Sequence, residues 1–395
     1  MSTEDELARV VRDHAGRLAG SLVSLLGDFS AAEDLVQDAV EIALRRWPVE
    51  GIPDRPDAWL FTVAKRRGLD VLRRQQNYRA KLSELQRQDG QPAPDDRLRL
   101  IFTCCHPALA REAQVALTLR VVCGLTTAQI AAALLASESA VAQRITRAKR
   151  KITDAGIPYR IPRDDELPDR LTEVLTVIYL LFNEGYLSST AERAHSRDLV
   201  DDAEWLTALL HGLLPNEPEV AGLLALIRLH RARTAARFTP YGELVLLEDQ
   251  DRTLWDQTAI TEATTLLTRT AHRHHAPGPY QLQAAIAACH SEAPTWAETD
   301  WPQILVLYDM LLVLQPSSVT CLHRSVAVSF VEGPAVALAE LDRLALDTYP
   351  LFHATRAQFL RDLGRDAEAR VADGRAAELT ANPAQLDLLR ERLAR

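Results

Sequence analysis

TTAQIAAALLASESAVAQRITRAKRKI, from Thr126 to Ile152, is the stretch on which the reading of this chain turns. Thr126 caps a small apolar helix, with Gln129 three residues on as its capping-box partner. A short turn follows, and Ser137 caps the next helix. There Val141, Ile145, Ala148 and Ile152 recur at helical spacing and form an inward line. Ser139, Ala140, Gln143, Arg144, Arg147 and Lys149 are the candidates for the free side. A cap-rich turn followed by a helix with Gln and Arg on its free face is how a recognition helix is presented to the major groove. A helical hairpin that never meets DNA has the same core pattern.

Outward from this stretch, charge is unevenly spread. The 395 residues carry a formal net charge of −9. The first 153 residues hold 23 Lys+Arg against 19 Asp+Glu, and the remainder 22 against 35. Such asymmetry separates a half that faces nucleic acid from a half with another task. Besides QRITRAKRKI (143–152), the second basic run is KRRGLDVLRRQQ (65–76). At 47% apolar and 25% charged residues the composition is that of a globular protein. STEDELARVVRDH at the N-terminus has no apolar signal core. Val174–Phe182, the longest strongly apolar run, is far short of the roughly 20 residues of a membrane helix. Five cysteines without framework spacing fit a reducing compartment, so the expected location is cytoplasmic, with no membrane partner.

Apolar positions recur at helical spacing almost everywhere, and the fold class is all-α. A first amphipathic helix covers 5–27. Ser30 opens a second, with Glu33 completing a capping box, and Pro48 ends it after Trp47. The loop PVEGIPDRP leads to a third helix from Pro56 to about Gln76. The chain divides into a domain at 1–76, a flexible linker at 77–97, a domain at 98–156, a linker at 157–167 and an acidic extension at 168–395. The extension reads as stacked helix pairs. Ala357, Gly364, Ala369 and Ala376 stand near the spacing at which tetratricopeptide units need small side chains, with a weaker echo at Gly333.

In the Ser30 helix, Asp34, Asp38 and Glu41 fall at i, i+4 and i+7 with Gln37 between them, opposite Leu35, Val36, Ala39, Ile42 and Ala43. This acidic stripe is either a solvated face or a docking surface for a basic helix on a partner. In the next helix Lys65, Arg66, Arg67, Arg73 and Arg74 form basic rows around Asp70, backed by Leu60, Ala64, Gly68 and Val71. They suit phosphate contacts, with Gln75 and Gln76 in reach of base edges. Trp59 is read as core. Cys104, Cys105 and His106 lack structural-zinc spacing, and His272, His274 and His275 read as a polar loop. Glu248, Asp249 and Asp251 have no nucleophile, phosphate loop or metal partner nearby. The chain is expected to have no metal, no cofactor and no catalytic site.

In order, these pieces resemble a bacterial RNA polymerase sigma factor of the extracytoplasmic-function (ECF) type. SAAEDLVQDAVEIALRRW is similar to the family's region 2.2, which docks on the clamp helices of core RNA polymerase; Glu33, Asp34, Leu35, Gln37 and Asp38 carry the match, and Glu41 continues their face. PDAWLFTVAKRRGLDVLRR is similar to regions 2.3 and 2.4, which open and read the −10 element, and the loop from Pro48 to Pro56 stands where a flipped-out base is captured. GLTTAQIAAALLASESAVAQRITRAKRKI is similar to region 4.2, which reads the −35 element. FTCCHPAL, LLFNEGY, LLEDQDRTLWD, GPYQLQAAIAACH and TDWPQILVLYDML resemble the group bearing a long TPR-like extension implicated in control. Arg66 replaces a common Asn, and LHRSVA, with His323 and Ser325, replaces the usual LNRAVA.

The resemblance implies a non-enzymatic factor that brings core polymerase to promoter DNA. Its extension would regulate activity or dock a protein partner. A stand-alone helix-turn-helix regulator with a TPR-like interaction domain is the alternative, and it has no need of the acidic stripe.

Overall fold

In a computed structural model, the residues described are 18–23, 26, 29–53, 55–74, 95–123, 125–134, 136–187, 193–239, 241–271, 276–380 and 382–394. They build helices, with no β-strand among them; one isolated antiparallel bridge pairs Phe238 with Leu244. The all-α expectation is met. The chain forms two compact units, Met1–Glu184 and Gly185–Arg395.

In the first unit, helical residues 18–23 and 26 bury Leu18, Ala19, Leu22, Val23 and Leu26. Helix α1 (Phe29–Glu50) packs on α2 (Pro56–Arg74). Leu35, Val36, Ala39 and Ala43 of α1 and Leu60, Ala64 and Gly68 of α2 are buried. Trp47 and Trp59 meet edge to face at 5.6 Å, which makes Trp59 part of this packing.

Two helix boundaries differ from expectation. Pro48 does not end α1, which runs through it to Glu50. A proline so near the C-terminal end removes only one backbone bond, and the stop falls instead at Gly51. Gly51 adopts φ 86° and its N–H donates to the Trp47 carbonyl at 3.0 Å, the left-handed closure that glycine makes cheaply. Likewise α1 starts by Phe29, so Ser30 lies inside the helix rather than capping it.

Helices α3 (Asp95–Cys104), α4 (Arg111–Val121), α5 (Thr127–Ala133) and α6 (Glu138–Asp154) follow. The segment 75–94, most of the expected linker, lies outside the described residues. Helix α4 is central: Val115, Ala116, Leu117, Leu119 and Val121 are buried, as is Gln114, whose amide donates to the His106 carbonyl at 2.9 Å. Helix α7 (Leu167–Leu187) is anchored to this domain by Arg111–Glu173 at 2.7 Å and by Arg170 donating to the Phe102 carbonyl. The compact unit therefore reaches Glu184, beyond the expected linker at 157–167.

The second unit contains α8 (Arg193–Leu213), α9 (Pro218–Ala232), α10 (Gln257–Ala271), α11 (Pro279–Glu292), α12 (Trp301–Leu314), α13 (Ser318–Val331), α14 (Pro334–Leu341), α15 (Pro350–Asp362), α16 (Asp366–Leu379) and α17 (Pro383–Ala394). Helix α9 is buried along most of its length and packs on α10 and α11. At Gly222 an added Cβ would lie 2.7 Å from the Gln281 backbone nitrogen, so only glycine permits this approach. The GPYQLQ stretch opens α11, where Glu219 accepts the N–H groups of Tyr280 (2.9 Å) and Gln281 (3.0 Å). In the α15–α16 pair, Ala357, Ala369 and Ala376 are fully buried, as their spacing implies. Gly364 (φ 71°) joins the two through paired bonds, Gly364 N–H to the Arg361 carbonyl and Arg365 N–H to the Leu360 carbonyl, both 2.8 Å. Ser325 turns its hydroxyl onto the Leu322 carbonyl at 2.7 Å, which satisfies it inside the core. Among the described residues no helix is long and apolar enough to cross a membrane.

Candidate nucleic-acid interface

Helix α6 has the build that its sequence demands. Ser137 sits at the N-cap in extended backbone and its hydroxyl accepts the Ala140 N–H at 3.2 Å. Val141, Ile145, Ala148 and Ile152 are its buried residues. Ser139, Gln143 and Arg147 are exposed, and Ala140 and Arg144 half-buried. Arg147 Nη2 donates to Gln143 Oε1 at 3.5 Å, a weak link that leaves both on the free face. Helix α5 starts directly after Thr126, whose carbonyl accepts the Ile130 N–H at 3.0 Å. The Gln129 side chain lies outside the described residues.

On α2, Arg66 and Arg67 are exposed and Lys65 holds its ammonium 5.7 Å from the Phe61 ring centroid. Arg67 pairs with Asp38 of α1. Arg73 and Arg74 form the last turn of α2, and Gln75 and Gln76 lie outside the described residues. On α1, Asp34 and Glu41 are exposed, Gln37 and Asp38 half-buried, and Glu41 meets Arg45 at 3.3 Å. Leu35 faces the core.

Glu33 is withdrawn from the exposed face that carries Asp34 and Glu41. It is 3% exposed, its Oε1 accepts from Arg120 Nε at 2.7 Å, and its Oε2 contacts Lys149 Nζ. The carboxylate thus joins α1 to α4 and α6 instead of closing a capping box at Ser30. A carboxylate withdrawn from water is stabilised far more by two cations than by one backbone amide. Arg120, which also donates to the Leu125 carbonyl at 3.2 Å, was absent from the sequence-based candidates. Its signal is a lone cation in the otherwise apolar run VALTLRVVCGL.

Cys104, Cys105, His106 and Asp251 have structural surroundings. Cys104 and Cys105 are buried; burial pushes the Cys105 thiol up to about 12, and its sulfur lies 3.5 Å from Thr118 Oγ1. His106 Nδ1 accepts the Ala108 N–H at 3.1 Å. Asp251 caps a turn, taking the Thr253 N–H at 2.9 Å and hydroxyl at 2.7 Å. The histidines at 272, 274 and 275 lie outside the described residues. Among the described residues no group of three or more His, Cys, Asp or Glu is arranged to hold a metal ion.

Comparison with known proteins matches these same elements. Residues 10–78 match the family model for sigma-70 region 2, and residues 99–152 the model for sigma-70 region 4. Residues 170–271 match a family of unknown function, DUF6596. An uncharacterized protein of Rhizobium meliloti (strain 1021) is 45% identical over 389 residues, covering 95% of this chain and 92% of that one. Mycobacterium tuberculosis (strain ATCC 25618 / H37Rv) has a relative named "Probable ECF RNA polymerase sigma factor SigI". It is 30% identical over 169 residues, 40% of this chain, which spans 58% of that relative. No solved structure matches. With regions 2 and 4 in order, each carrying its helical module, the chain belongs to the sigma-70 family as an ECF-type sigma factor. Sigma factors are DNA-binding transcription initiation factors, and the family implies core RNA polymerase and promoter DNA as partners.

Proposed function

We propose that the exposed carboxylates of α1, Asp34 and Glu41 with Gln37 and Asp38 beside them, form the docking face for core RNA polymerase. The basic side of α2 (Lys65, Arg66, Arg67, Arg73, Arg74, with Gln75 and Gln76) meets the −10 element. Ser139, Ala140, Gln143, Arg144 and Arg147 of α6 meet the −35 element. The protein works in the cytoplasm and performs no chemistry of its own; polymerase does. The observation that carries this reading is the division of α1 into a buried apolar side and an exposed acidic one.

Glu33, Leu35 and Lys149 take part differently. Leu35 shapes the α1–α2 core that presents the acidic face. Glu33 and Lys149 hold regions 2 and 4 together in the free protein, and separate when polymerase sets the two regions at promoter spacing.

The extension controls this factor or docks a protein partner. Its excess of acid, 35 Asp+Glu against 22 Lys+Arg after residue 153, opposes DNA binding until a signal acts.

Charge reversal tests the docking face. Asp34→Lys with Glu41→Lys leaves the Asp38–Arg67 pair intact, and is expected to abolish pull-down of core polymerase and run-off transcription while preserving binding of promoter duplex. Retained polymerase binding would overturn the assignment. For the extension, the informative truncation ends after Leu187, because deletion from 168 also strips α7 and its contacts from region 4. Higher run-off transcription from residues 1–187 than from the full chain supports inhibition; loss of transcription means that the extension is required.

A further inference from the structure

In the second unit, α13, α15 and α17 enclose a cavity of about 580 Å³, closed on one side by segment 244–248 and by Trp296. That volume falls among small-molecule sites, which run from about 300 to 1,000 Å³. Large apolar groups stay open there: Phe330 is 49% exposed although its ring stacks on Trp301 at 3.9 Å, and Leu351 is 39% exposed. Trp296 meets Phe330 edge to face at 5.7 Å. The charged groups of the lining are Glu248, Asp362 and Arg392, one negative charge in excess.

We propose that this cavity is a binding site for a small amphiphilic cation, its apolar body against Trp296, Phe330 and Leu351 and its positive end at Glu248 and Asp362. Aromatic faces attract a cation, and the excess carboxylate supplies the countercharge. Glu248 fits this role. Burial, then its neighbours Asp249 and Asp362, pushes its carboxyl above the usual range against the pull of Arg392, so a bound cation relieves the crowding of negative charge. The site is independent of the polymerase and promoter assignments, because binding is read directly.

The test uses the full chain and two fluorescent probes with one apolar body: dansylcadaverine, a cation, and dansyl-6-aminohexanoate, an anion. The expected result is saturable one-to-one binding of dansylcadaverine with blue-shifted emission, at least about tenfold tighter than the anion. Glu248→Gln, in the short turn Leu247–Asp249, should erase most of that preference without changing the melting temperature. Ala354→Phe, which fills the cavity from α15, should abolish binding of both probes. Absence of saturable binding, equal or tighter binding of the anion, or an unchanged preference in Glu248→Gln would each overturn the proposal. So would unchanged affinity in a folded Ala354→Phe.

Discussion

At Glu33 a single buried carboxylate is shared between Arg120 and Lys149, which are themselves 17% and 15% exposed. Breaking a buried pair strands its partners, so Glu33→Ala should cost about 3 kcal/mol. Asp34→Ala, at an exposed position one residue on, should stay within about 0.5 kcal/mol. Urea denaturation followed by circular dichroism checks the contrast. The same contact has an electrostatic consequence. Glu33→Gln releases the Lys149 charge on α6. Binding of a −35 duplex should then tighten, and the plot of log K against log salt should steepen by about 1, measured by fluorescence anisotropy. An unchanged slope would mean that Lys149 makes no phosphate contact once freed from Glu33.

Among elements, α6 is the one whose making and use are most closely joined. Ser137→Ala removes the acceptor for the Ala140 N–H and should lower stability by about 1 kcal/mol. Arg147→Ala removes an exposed cation and touches no core. It should weaken duplex binding and lower the salt slope by about 1 while the melting temperature stays put. Helix α9 sets the opposite problem, since its crossing with α11 leaves no room at Gly222. Gly222→Ala forces backbone apart and should cost about 1 to 3 kcal/mol, visible as a lower thermal midpoint for the second unit.

Across the whole molecule, the second unit has an acid-sensitive core. Burial, with Arg233 and Arg252 nearby, holds His290 down at about 4, and burial holds His230 well below its usual value. These histidines are neutral when folded and take up a proton near pH 6.5 when unfolded. As pH falls from about 6.5 to 4 the unfolded chain binds more protons, so stability is lost through that window and is fully present above it. His290 alone accounts for about 3 kcal/mol of this loss. Thermal melts at pH 7, 5.5 and 4 should show the midpoint of the extension falling, and His290→Phe, which keeps a ring against Trp296, should flatten the fall.

The helical spacing of Val141, Ile145, Ala148 and Ile152 and the cap at Ser137 define α6 from the sequence alone, because helix formation and capping are local. The inward line of α1 and the small residues of the α15–α16 crossing were legible for the same reason: period and side-chain size are properties of neighbours in the chain. The end of α1 was not, because Pro48 is a weak stop where Gly51 offers a better one. Long-range pairing was invisible. Glu33 meets Arg120 and Lys149 across 87 and 116 residues, and nothing in a local pattern distinguishes it from exposed Asp34. Only tertiary packing buries one of these acids and leaves the other to solvent. Only packing, too, brings Trp296, Phe330, Leu351 and Glu248, far apart in sequence, around one cavity.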